Sequence, residues 1–183
     1  MVLTDIKVKE VDAKTQEVFD KIDALDLEPI KFKVMNRHSH QSWTLEQCDR
    51  VEVLFKMYLK LAYLYPESGV VPTEEMDALW HVWILDTTKY HADCDYIFGY
   101  YLHHYPYLGL RGADDEVVLE KSFEQTRALF EEHFNVTLCE DYEASSCRDD
   151  CISLHLNPAF IEGNTLSPVE FFNMQNRPRP VRD

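Results

Sequence analysis

Glycine is scarce in this 183-residue chain, which contains 5. Many-turned sandwiches and barrels spend glycine at their tight turns, so the count argues against an all-β fold. Long apolar runs are missing too. Nothing approaches the roughly 20 consecutive apolar residues of a membrane-spanning helix, so no membrane association is expected. Residues 1–10 alternate charge with single apolar residues and lack the apolar core of a signal peptide, which points to a cytoplasmic protein. Positive charge is short as well, with 18 Lys and Arg against 33 Asp and Glu and a net charge of −15. Phosphate backbones and anionic lipid surfaces would be repelled, so nucleic acid is not an expected partner. The 5 cysteines are an odd number, which suits a reducing compartment better than a disulfide framework. Gly-rich phosphate loops, nucleophile elbows, dinucleotide fingerprints, His-Glu-x-x-His and Cys-x-x-Cys are all absent.

What is present reads as helix. Val18, Phe19, Ile22 and Leu25 fall on one stripe, and the segment from Asp26 to Gln41, interrupted by Pro29, reads as irregular. Thr44 with Gln47 three residues on forms a capping-box pattern before a periodic run from Leu45 to about Tyr65. Thr73 should cap a helix carrying Met76, Asp77, Trp80, His81 and Ile84. Tyr90, Cys94, Ile97 and Tyr101 mark another helical face, ended by Pro106 and Gly109. Arg111 to Glu116 reads as a polar connection before a last helix with Leu119, Phe123, Phe130 and Phe134. The expected fold is all-α: one domain over residues 1–175, a bundle of four to six helices with an irregular C-terminal segment. The tail 176–183, with Pro178 and Pro180 among three Arg, is expected to be disordered.

Asp77 to Pro106 concentrates the chemistry. It holds His81, His91, His103 and His104, four of the eight histidines, with Cys94 and several acids. Asp77 and His81, four apart, share a helical face, which suits a carboxylate and an imidazole on one metal or in one hydrogen-bonded pair. Tyr90 and Cys94 have the same spacing and are the candidate catalytic pair, although each is more often a core residue. His103 and His104 would point about 100° apart on a helix, so one of them faces the pocket of His81 unless the helix frays. The expected metal ligands are Asp77, His81, His103 and His104.

The compound pattern Asp77-x-x-Trp80-His81, Tyr90-x-x-Asp93-Cys94 and Gly99-x-x-Leu102-x-His104 resembles the core motif of the glycine-rich domain-containing protein-like family. The likeness spans some 30 residues and implies a small helical domain of bacterial type. Two departures accompany it. The second histidine of the plant members is Trp83 here, and the glycine-rich extension is absent.

Cys147, Cys151 and His155 follow at steps of four, but the paired knuckles of a structural zinc site are missing. The sequence therefore points first to a metal-dependent tailoring enzyme acting on a small organic or peptide substrate. Its cofactor would be a divalent transition metal such as Fe, Zn or Cu. The competing expectation is a non-catalytic helical interaction module built on a buried His/Asp/Tyr network.

Overall fold

A computed structural model describes residues 11–36, 43–138 and 179–182. Within them the chain forms six α-helices, inside the expected range of four to six, and the domain is all-α. Helix α1 is Ala13–Asp23, α2 Glu28–Met35, α3 Leu45–Leu64, α4 Glu74–Leu85, α5 Thr87–Phe98 and α6 Ala113–Phe134. The cysteines and histidine at 139, 147, 151 and 155 lie outside the described residues. No helix among the described residues is long and apolar enough to cross a membrane.

The helix ends follow local chemistry. Thr44 and Gln47 exchange both bonds of the capping box at the start of α3. The Thr73 hydroxyl accepts from the Met76 amide at the start of α4. Asp86 ends α4 and caps α5, and α5 stops where Gly99 turns left-handed (φ +73°). That stop corrects the expected continuation of the helix through Tyr101. Residues 99–112 form a strap instead, which carries both His103 and His104. Two other boundaries also differ from expectation. Helix α2 lies in the segment read as irregular, because a proline is tolerated in a first helical turn and Pro29 stands there. Helix α6 begins in the presumed polar connection, where Asp114, Asp115 and Glu116 favour the positive end of the helix dipole.

Helix α3 runs along α1, α2, α4 and α6, while α4 also meets α2 and α5. The seam between α3 and α4 is aromatic. Phe55 meets Trp83 edge-on with centroids 6.0 Å apart, and Tyr58 lies 5.7 Å from Trp80. Helix α4 buries Met76, Asp77, Leu79, Trp80, Val82 and Trp83, more than one face, because neighbours cover it on several sides. His81 lies on its remaining, partly open side.

Candidate metal centre

Helix α4 places Asp77 and His81 one turn apart, with His81 Nδ1 3.3 Å from Asp77 Oδ2. The strap brings His104 to the other carboxylate oxygen, its Nε2 2.8 Å from Asp77 Oδ1. The His104 contact is at hydrogen-bond distance, whereas the His81 contact is a longer polar approach. The two imidazole rings lie 4.6 Å apart. One donor atom from each of the three residues falls within 4.8 Å of the other two. Donors at about 2.0–2.1 Å from a tetrahedral ion stand roughly 3.3 Å from one another, so donors that lie within 4.8 Å would have to draw together by up to about 1.5 Å to close on a metal. Asp77 is the deepest of the three, with a side chain 6% exposed, and His81 the most open at 29%.

His104 is held in this position by a relay from α4 through α5. The Trp80 indole N–H donates to the Tyr90 hydroxyl at 3.0 Å, and that hydroxyl donates to the Leu102 carbonyl in the strap. The Trp80 ring also packs edge-on against His104, with centroids 4.7 Å apart. One turn further along, the Trp83 indole donates to Asp93 at 2.9 Å, and Lys89 Nζ meets the same oxygen at 2.7 Å. Each tryptophan of α4 thus bonds to the residue ten positions later on α5.

The candidate residues separate by position. Asp77, His81 and His104 come together. His103 does not join them, and lies exposed with its ring 5.0 Å from Tyr101. Because α5 ends at Phe98, the two adjacent histidines sit on irregular backbone and only one turns inward. Tyr90 is fully buried, and burial pushes its hydroxyl well above the ordinary tyrosine range, with the Trp80 bond opposing that shift. Burial likewise raises the Cys94 thiol, while the Leu102 amide and the Tyr90 hydroxyl oppose it in part. Neither Tyr90 nor Cys94 is a member of the three-donor cluster. Of these braces, Asp93 and Trp83 stand in the sequence motif without their pairing being expected, and Lys89 was not singled out. The signal available was the equal ten-residue offset from Trp80 to Tyr90 and from Trp83 to Asp93.

A second acidic group, Glu28, Asp49 and Glu52, also has donors within 4.8 Å of one another. Its centre is taken by a side-chain cation. Lys31 Nζ lies 2.6 Å from Glu28, 2.8 Å from Asp49 and 2.5 Å from Glu52.

Fold and site together define a small all-α protein with two imidazoles and one carboxylate converging on the open side of its central helix. Residues 19–130 match the UCP032817-like family. The match covers more than half the chain and includes every residue of the cluster and its braces, so the chain belongs to that family. No curated protein and no solved structure matches it.

Proposed function

We propose that this chain is a metal-dependent enzyme that modifies a small organic or peptide substrate, with a divalent transition metal held by Asp77, His81 and His104. The observation that carries this reading is the convergence of one buried carboxylate and two histidines from elements 27 residues apart in sequence. Three protein donors leave coordination positions for substrate, which is the pattern of catalytic rather than structural sites. Two imidazoles and a carboxylate suit Fe(II) best and zinc second, and the ion would supply Lewis acidity or oxygen activation at its open positions. Trp80 orients His104, and Tyr90 acts as a positioning residue for the strap. The half-exposed His81 marks the side from which substrate enters.

Elemental analysis of protein prepared without chelators, followed by Co(II) titration of the metal-free chain, tests the reading. The expected result is one ion per chain, lost in His81→Ala and in His104→Ala. Unchanged Co(II) spectra and affinities in both variants would sink it.

A non-catalytic interaction module is the second reading, favoured by the exposed Tyr100, Tyr101, Tyr105 and Tyr107 on the strap. Here Asp77 and the two histidines would serve as a hydrogen-bonded network that holds a tyrosine-rich binding surface. The same variants would then lower the melting temperature and bind Co(II) no differently from the natural chain.

A further inference from the structure

Four carboxylates crowd the corner where α1, α2 and α3 meet: Asp26 between α1 and α2, Glu28 at the start of α2, and Asp49 and Glu52 on α3. Lys31 is buried among three of them, its side chain 1% exposed. Burial alone would favour its neutral form, but the bonds to Asp49, Glu28 and Glu52 outweigh burial and hold the amine charged. Lys56 is a second cation here, 2.8 Å from Glu52, and Lys89 acts through space on Asp26, so the four carboxylates keep only a small surplus of negative charge. Lys31 pins three of those carboxylates in place, so that surplus is presented on a preorganised edge.

Residues 179–182, Arg-Pro-Val-Arg, lie on this edge. The Arg179 guanidinium forks both oxygens of Asp26, one of them at 3.0 Å. The Arg182 guanidinium forks Asp49 at 2.9 Å through both nitrogens and reaches Glu28 at 2.6 Å. Bidentate pairing of this kind is selective for arginine over lysine. Extended proline-containing backbone repeats every three residues, so two arginines three apart project to the same side. That spacing matches the step from Asp26 to the Asp49/Glu28 pair.

The segment's hydrogen bonds to this corner come from its two arginines. The Arg179 and Arg182 side chains remain 46% and 48% exposed, and Val181 is 86% exposed. Exposed ion pairs bind weakly, so this occupant is displaceable. Asp26 also lines a cleft of roughly 210 Å³ between α1, α2 and α5, where Leu25, Pro29, Tyr96 and Ile97 form an apolar wall and Lys21, Lys89 and Asp93 a charged one. None of residues 179–182 lines it.

We propose that this corner is a docking site for an Arg-x-x-Arg segment of a partner protein, with an apolar side chain beside the first arginine entering the cleft. The chain's own residues 179–182 occupy the ionic half of the site until such a segment displaces them. None of the three donors of the metal centre belongs to this site, whose cleft does share Lys89 and Asp93 with the bracing between α4 and α5.

The probe is a labelled peptide of residues 176–183, Asn-Arg-Pro-Arg-Pro-Val-Arg-Asp, followed by fluorescence anisotropy. Its target is the full chain carrying Arg179→Ala and Arg182→Ala, both surface positions. A tethered segment competes at an effective concentration of the millimolar order, so the emptied chain is expected to bind the peptide at least about tenfold more tightly than the natural chain. Adding Asp26→Asn should abolish most of that gain, and replacing both peptide arginines by lysine should weaken binding. A peptide with leucine in place of the proline before its first docking arginine should bind more tightly by filling the cleft. Equal affinity for the natural and emptied chains, or no saturable binding to either, would overturn the proposal. Concentration-dependent dimerisation of the natural chain that disappears in the emptied chain would overturn the choice of partner, making a second copy the occupant.

Discussion

The buried hydroxyl of Tyr90 donates to the main-chain carbonyl of Leu102, which ties α5 to the strap two residues before His104. The same hydroxyl accepts from the Trp80 indole. Tyr90→Phe removes both bonds and leaves the partly buried Leu102 carbonyl and the buried Trp80 N–H without this partner. A loss of about 2–3 kcal/mol in urea unfolding is expected, because each orphaned group costs about 1–3 kcal/mol. Co(II) affinity should fall as well, since His104 loses its anchor. Wild-type stability in the variant would refute the bracing role.

Asp93 accepts from the Trp83 indole and pairs with Lys89, whose side chain is 5% exposed. Asp93→Ala strands a buried ammonium, and breaking such a pair costs about 3–5 kcal/mol. The double replacement Lys89→Met with Asp93→Leu removes both charges and should recover most of that loss. The comparison is made by denaturant unfolding. Equal loss in the single and double variants would show that the charge is not the cause.

Acid should erode stability through Asp49 and Asp115. Arg182, followed by Lys31, holds the Asp49 carboxyl at about 2, and Arg111 with the Gly109 and Arg111 amides holds Asp115 at about 2. Both lie below the ordinary aspartate value of 3.8, so the folded state releases these protons more readily than the unfolded state. Their stabilisation is complete above about pH 4 and is lost as pH falls through about 2. Carboxyl NMR titration should show the Asp49 midpoint rising towards the ordinary value in Arg182→Ala. An unmoved midpoint would contradict the pairing.

Two left-handed glycines should respond differently to alanine. A Cβ on Gly109 (φ +83°) would meet Leu119 Cδ2 at 2.6 Å, whereas one on Gly99 (φ +73°) has nothing within 4 Å. Gly99→Ala should cost about 1–2 kcal/mol from backbone strain alone. Gly109→Ala should cost more, because Leu119 must also move. Thermal unfolding gives the order, and the reverse order would contradict this account of the strap.

Much of the architecture was legible where one local rule dominates. Thr44 and Gln47 announce α3, and the four-residue step from Asp77 to His81 puts both on one side of α4. The pattern failed where a tertiary contact decides. Pro29 disguised α2, whose helical stripe of Leu27, Ile30 and Val34 is interrupted by a lysine that is itself buried. His103 and His104 could not be told apart, because the choice depends on Gly99 ending α5 and on Tyr90 gripping Leu102. The arginines at 179 and 182 meet acids more than 130 positions earlier in the chain, a pairing that no local period encodes.

The strap from Gly99 to Gly112 has a kinetic consequence. Asp77 and His104 are 27 residues apart, and the Trp80, Tyr90 and Leu102 relay lies wholly between them. Closing so short a loop carries a modest entropic cost, and contacts of low sequence separation form early. The α4–α5–strap segment is therefore expected to assemble its donor set before the distant ends of the chain have found their places.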